Sequence, residues 1–279
     1  MSKPATFKAA CLQVNASTDM ADNIAVASDM ARRAAKDGAD LVLMPENVSM
    51  MEWGRFNVTA KAMTEERHAA LIAFRALAKD LGVWLHCGSL AVLLPGGKVA
   101  NRSYVLGPDG AVAAHYDKIH MFDVDLGNGE RYMESGTFAA GTQAVAVGLP
   151  WGCLGLTICY DLRFPHLFRH LAQAGADFLT VPAAFTSGTG EAHWHVLLRA
   201  RAIETGCFVF APAQTGIHAG DRKTFGHALI INPWGEILAD AGTEPGIIIA
   251  TIDVAEVARA RARIPAFRLN AAFSPVVRG

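Results

Sequence analysis

Short apolar runs alternate along the chain with longer stretches whose apolar positions recur at helical spacing, so buried strands are expected to alternate with amphipathic helices. Residues 36–46, KDGADLVLMPE, and 173–183, QAGADFLTVPA, share Gly-Ala-Asp, an apolar run and a proline. The shared pattern predicts a helix C-cap leading into a buried strand. After each comes a helical pattern ending in glycine, FRALAKDLG at 74–82 and LLRARAIETG at 197–206, then an apolar strand at 83–93 or 207–213. Each half closes on two strand-like runs around a proline-containing turn, SYVLGPDGAVAAHY at 103–116 and ALIINPWGEILADA at 228–241. With first strands at 7–14 and 153–159, both halves read strand, helix, strand, helix, strand, hairpin.

The Gly-Ala-Asp units begin at 38 and 175 and the turns at 107 and 232, so the spacing varies and the repeat is not a tandem array. Each half is expected to form a mixed sheet with helices on one face and a bare apolar face on the other. Packing the two bare faces together covers both. The predicted fold is therefore α/β, a four-layer α-β-β-α sandwich with an internal pseudo-twofold repeat, forming one domain over residues 1–279. A Rossmann fold is the rival, but no GxGxxG follows the first strand.

Composition fits this reading. Of the 279 residues 52% are hydrophobic, enough for a sizeable core, and 25 Lys and Arg against 26 Asp and Glu leave a net charge of −1. That balance points away from nucleic acid or an anionic membrane and toward a small-molecule partner. No apolar stretch approaches the roughly 20 residues of a membrane helix, and residues 1–14 lack a signal peptide's apolar core, so a cytoplasmic location is expected. The five cysteines, at 11, 87, 153, 159 and 207, form no CxxC pair and read as reduced thiols.

One thiol stands out. In GLTICYDLRF, residues 155–164, an apolar run stops at Cys159 and charged groups follow at once. Ligands gather outside the carboxyl ends of strands in open α/β sheets, and both Cys159 and Glu46 fall at such ends. RFPHLFRHLAQAG, 163–175, has a helical apolar face, which suggests a helix N-terminus beside Cys159 that would stabilise a thiolate and offer N–H groups to an oxyanion. A thiol nucleophile needs a base and a partner for the charge that develops on the attacked carbonyl. Glu46, with its pKa raised by burial, and Lys118 could supply both, although each taken alone reads more readily as an ordinary strand-end ion pair.

LMPEN (43–47), YDKIHMFDVDL (116–126), ESGTFAAG (134–141), ICYDLRFPHLF (158–168) and TGEAHWHVLLRARAIETGCFV (189–209) together resemble the nitrilase superfamily of carbon–nitrogen hydrolases over nearly the whole chain. The resemblance implies the same four-layer fold, a homodimer or larger assembly, and no metal or organic cofactor. It implies Glu46 as general base, Lys118 as stabiliser of the tetrahedral intermediate, Cys159 as nucleophile and Glu134 as a second glutamate beside the lysine. The Tyr160 N–H would complete the oxyanion hole, and a thioester would form with loss of ammonia. The branch most resembled acts on 2-oxo-acid amides. There Arg163 would hold the substrate's carboxylate, with Phe185, Thr189 and Phe122 around it. AQTGIHAGDRKTFGHALIINPWG (213–235) favours deaminated glutathione as substrate, with 2-oxoglutaramate, or another aliphatic amide or nitrile, as alternatives.

Other readings are weaker. His193 and His195 in AHWH point about 200° apart on a helix, with no carboxylate partner evident, so no metal site is expected. His120 could pair with the thiol, but the resemblance gives it a structural role. ARARARIPAFRLN at 258–270 suggests a solvated helix face, or a C-terminal arm over 258–279 that docks on a neighbouring subunit. A non-catalytic binding module of the same fold would be expected to have lost one of Glu46, Lys118, Glu134 or Cys159, and all four are present.

Overall fold

The computed structural model describes residues 5–127, 129–274 and 276. Its two main sheets repeat one strand pattern. In the first, Gly246–Asp253, Thr6–Val14, Leu41–Leu43, Trp84–His86, Val99–Leu106 and Val112–Asp117 lie side by side. In the second the order is Val145–Gly148, Cys153–Leu156, Phe178–Thr180, Phe208–Ala211, Leu229–Ile231 and Ile237–Asp240. Both run antiparallel, parallel, parallel, antiparallel, antiparallel from neighbour to neighbour. The edge strands are exchanged, since the strand that ends the second half pairs with the first strand of the first half.

The repeated Gly-Ala-Asp has a structural cause. Asp40 Oδ2 accepts the Lys8 N–H at 2.8 Å while the Asp40 N–H donates to Lys8 O at 2.9 Å. Asp177 makes the same pair with Cys153, at 3.0 and 2.8 Å. In each half this aspartate therefore fixes the register of the first two parallel strands. The turns match too: Gly110 N–H donates to Gly107 O, and Gly235 N–H to Asn232 O.

Alternation along the strands separates the layers. Ala9, Cys11, Leu41 and Leu43 pack toward the second sheet, in a core shared with Phe178, Phe208 and Phe210. Ala10, Leu12, Val42 and Met44 pack instead with buried residues of the helices Met20–Lys36 and Ala69–Leu81. A strand buried on both faces needs no polar side, which is why these runs are continuously apolar. Trp194, Leu198, Leu167 and Phe168, from the helices Ser187–Thr205 and Pro165–Gln173, join the core around the second sheet. The four layers are therefore helices, sheet, sheet, helices. Among the described residues no helix is long and apolar enough to cross a membrane.

Several expected elements differ in extent. The strand expected over 83–93 is two, Trp84–His86 and Leu90–Leu93, split where Gly88 turns the backbone at φ 57°. The strand expected over 207–213 breaks at Pro212. Its continuation Ala213–Ile217 leaves the second sheet and pairs with Gln13 and Val14 of the first, because proline has no N–H for the ladder. The helices beginning at 74 and 197 in the sequence pattern start earlier, at Ala69 and Ser187.

The C-terminal stretch is a helix, Ala255–Arg263, and a turn, Ala266–Arg268. Arg261 is buried and donates to Thr205 O at 3.1 Å and Ala176 O at 2.6 Å, with its guanidinium over Phe267. This part of the expected solvated face or arm docks on the chain's own second half. Residues 275 and 277–279 of that expectation lie outside the described residues.

Candidate active site

Glu46, Lys118, Glu134 and Cys159 come from four separate segments and line one cavity of about 450 Å³. Glu46 follows Pro45 just beyond the strand Leu41–Leu43 and is 2% exposed. Its Oε1 accepts from Lys118 Nζ at 3.0 Å and Asn101 Nδ2 at 2.9 Å, and its Oε2 from the Ala184 N–H at 2.8 Å. The backbone on the far side is equally constrained. A Cβ at Gly88 would fall 1.9 Å from Pro45 O, so only glycine lets residue 88 lie against the segment that carries Glu46.

Lys118 follows the strand Val112–Asp117, and its ammonium reaches both oxygens of Glu134 at 3.0 and 2.9 Å. Glu134 opens the short turn Glu134–Gly136 and also accepts the Phe122 N–H at 2.6 Å. Asn101 Nδ2 lies 3.2 Å from Glu134 Oε1, so this amide bridges the two carboxylates on either side of the lysine.

Cys159 stands in a different kind of turn from the one expected. The strand Cys153–Leu156 ends three residues earlier, and Cys159 has a left-handed backbone, φ 47°, with its N–H donating to Pro182 O at 3.0 Å. The segment Cys159–Arg163 is a 3₁₀ turn, and the α-helix begins only at Pro165, so no α-helix N-terminus adjoins the thiol. Asp161 explains the charge crowded beside it. Fully buried, its carboxylate accepts from Tyr116 Oη at 2.7 Å, the Ile158 N–H at 2.8 Å and the His120 N–H at 3.1 Å. It therefore clamps the cysteine turn to the segment that carries Lys118. His120 Nδ1 is 2.6 Å from the same carboxylate and its ring stacks on Phe164, so His120 is occupied away from the thiol.

Electrostatics correct the expected protonation. Burial pushes Glu46 up, but the Lys118 and Arg222 charges outweigh it and hold the carboxyl below its ordinary range. Burial, aided by the Glu46 charge, pushes the Cys159 thiol well above its ordinary value. Burial lowers the Lys118 ammonium, but Glu134 and Glu46 more than reverse this, and it stays charged. The resting arrangement is a neutral thiol beside an ionised carboxylate and an ammonium. Neither burial nor the turn stabilises a free thiolate here.

Tyr160, Phe122, Phe185 and Thr189 line the same cavity. Arg163 does not. Its guanidinium lies 5.2 Å over the Phe185 ring and 6.0 Å over Tyr160, with Nη1 and Nη2 each 3.3 Å from His193 Nδ1. Three contributors had weak sequence signals. Asn101, a buried polar residue inside the apolar strand Val99–Leu106, was the detectable one. Asp161 reads in the sequence only as a charge beside the thiol, and Arg222 stands in a polar loop.

His193 and His195 do diverge, but His195 has partners that the sequence did not reveal. Its Nε2 is 3.2 Å from Asp240 Oδ2, and His227 Nδ1 is 2.9 Å from Asp240 Oδ1. The three ligand atoms lie within 4.8 Å of one another, a spacing open to a cation.

Residues 8–262 match the model of the carbon-nitrogen hydrolase family. The chain belongs to that family. This hydrolase is 41% identical over 266 residues to a deaminated glutathione amidase of Synechocystis sp., covering 94% of this chain and 97% of that one. Among solved structures it is similar to the Caenorhabditis elegans NitFhit protein, with TM-score 0.89 and 34% identity over 95% of this chain and 65% of that one. It is also similar to Saccharomyces cerevisiae Nit3, a member of branch 10 of the nitrilase superfamily, with TM-score 0.85 and 26% identity over 94% of this chain and 96% of that one.

Proposed function

We propose that this carbon–nitrogen hydrolase cleaves the amide of a 2-oxo-acid amide, deaminated glutathione above all, with Cys159 as nucleophile. The observation that carries the reading is the pairing of Lys118 with both Glu46 and Glu134 in the cavity that Cys159 enters. Relatives named deaminated glutathione amidase, at 41% identity in Synechocystis sp., support the substrate.

Cys159 Sγ attacks the amide carbonyl carbon as its proton passes to Glu46. Lys118 and the Tyr160 N–H stabilise the oxyanion. The C–N bond then breaks, Glu46 protonates the departing nitrogen, and an acyl thioester remains on Cys159. Water, deprotonated by Glu46, attacks the thioester; a carboxylate leaves and the thiol recovers its proton. Glu134 keeps Lys118 charged and aimed. Phe122, Phe185 and Thr189 form the walls. In deaminated glutathione the leaving amine is the dipeptide cysteinylglycine, so the ammonia expected from the sequence belongs only to simple amides such as 2-oxoglutaramate. The reading includes a cytoplasmic homodimer acting without a cofactor.

The test is product analysis on purified protein. Deaminated glutathione should yield 2-oxoglutarate and cysteinylglycine faster than 2-oxoglutaramate yields ammonia, and Cys159→Ala should make neither. A reversed preference would move the substrate to 2-oxoglutaramate. No turnover of either would reject the 2-oxo-acid reading.

A further inference from the structure

We propose that His195, His227 and Asp240 form a structural binding site for a late first-row divalent cation, zinc above all. They come from three elements that no sequence motif connects: His195 from the helix Ser187–Thr205, His227 from just before the strand Leu229–Ile231, and Asp240 from the end of the strand Ile237–Asp240. His195 Nε2 lies 3.2 Å from Asp240 Oδ2, and His227 Nδ1 lies 2.9 and 3.1 Å from the two Asp240 oxygens. The three donor atoms all fall within 4.8 Å of one another. A tetrahedral zinc with ligands at about 2.0–2.2 Å needs them roughly 3.3–3.6 Å apart, a separation close to the nitrogen–oxygen distances found here.

The surroundings hold the three side chains in place. The His227 ring stacks on Phe225 at 4.6 Å, and the His195 ring stands edge-on to both, 4.9 Å from His227 and 5.9 Å from Phe225. Trp194 Nε1 donates to His227 O at 2.7 Å, and the Gly242 N–H donates to Asp240 Oδ1 at 2.8 Å. His227 has a left-handed backbone, φ 52°, a conformation uncommon outside glycine and found here in a residue whose imidazole meets Asp240. The side chains of His195, His227 and Asp240 are 31%, 23% and 33% exposed, so an ion can enter from solvent and a water can fill its fourth position.

The donor set selects the ion. Two imidazoles and a carboxylate suit zinc and its neighbours, whereas calcium and magnesium take oxygen ligands. Without an ion, each facing ring nitrogen donates its proton to Asp240; on binding, that proton passes to the other ring nitrogen or to solvent and the freed lone pair goes to the cation. None of the three residues lines the active-site cavity, so the site stands apart from the reacting groups. It clips the helix that carries Thr189 to the two strands that carry His227 and Asp240. Trp194, bonded to His227 and 5.0 Å from the Phe185 ring, lies between this clip and the cavity wall.

The experiment titrates zinc into tag-free Cys159→Ala protein, so that neither a histidine tag nor the active-site thiol competes, and reads the heat of binding and Tm. Binding at micromolar zinc with a raised Tm is expected. His195→Gln and Asp240→Asn should each weaken binding by more than roughly 10-fold, since removing even a ligand's hydrogen-bonding partner costs that much, and should abolish the Tm shift. His193→Gln, on the same helix but outside the cluster, should bind zinc as the parent does. Cobalt(II) in place of zinc should give the visible absorption of a tetrahedral ion in the parent and not in His195→Gln, a signature that a merely structural effect of the substitution would not move. Binding that needs millimolar zinc, or that persists unchanged in both His195→Gln and Asp240→Asn, would overturn the inference and leave the cluster as two histidines hydrogen-bonded to one aspartate.

Discussion

Glu46 and Ala183 occupy the same place in the two halves, each following a proline that lies two residues beyond the second parallel strand. Val14 and Cys159 correspond likewise, each six residues beyond the partner of the register aspartate, Lys8 or Cys153. In the first half the strand runs on to Val14, because Gln13 and Val14 pair with Ala213 and Gln214. In the second it stops at Leu156, and the chain turns left-handed at Cys159. One scaffold thus carries a buried carboxylate and an ammonium in one half and a thiol in the other. The backbone of the second half completes the first half's site, since the Ala184 N–H holds Glu46. Neither half contains the whole constellation, and the exchanged edge strands hold the two in register.

The most damaging way to break this division is at the thiol. Cys159→Ala should reduce turnover by more than about 10³-fold while leaving the circular dichroism spectrum and Tm near wild type, because the side chain supplies chemistry and little packing. Lys118→Ala should remove activity and also destabilise the first half by about 3–5 kcal/mol in urea titrations, because buried Glu46 is left without its cation and beside the like charge of half-buried Glu134. Gly88→Ala should lower kcat more than KM, since the added methyl displaces Pro45 and with it Glu46; unchanged kcat would mean that the segment can give way.

Two pH profiles sharpen the comparison further. With Glu46 held below 4.5 and Cys159 above 9.0, their ordinary values, neither group should bend kcat/KM between those limits. A smaller effect concerns folding. Burial holds His86 at about 3 against an ordinary 6.5, so its contribution is full above pH 6.5 and is lost as pH falls toward 3. The unfolded chain binds a proton there that the folded one refuses. Tm should decline through this window, and less steeply in His86→Asn.

How much of this was legible follows from what each residue answers to. The repeat was readable because register, turns and continuous burial are local demands that leave a mark on sequence: Gly-Ala-Asp, the proline turns, the apolar runs. Glu46, Lys118, Glu134 and Cys159 were readable as a set through motifs. The protonation pattern was not, because it depends on Lys118 and Arg222 approaching Glu46 from distant segments. Nor was Asp161's clamp on Tyr116 and His120, which joins residues 45 and 41 positions apart. The contacts of Arg163 were not legible either. Its spacing from Cys159 is fixed by the chain, but its direction is set by His193 and Phe185.

On the proposed mechanism the second half's Cys159 carries the acyl group while the first half's Glu46 moves the protons. Acid-quenched peptide mapping during turnover of deaminated glutathione tests it most directly. A 2-oxoglutaryl thioester is expected on the peptide containing Cys159, accumulating in Glu46→Gln if hydrolysis slows more than acylation and absent in Cys159→Ala. Turnover by Cys159→Ala, or an acyl group on any other residue, would contradict it.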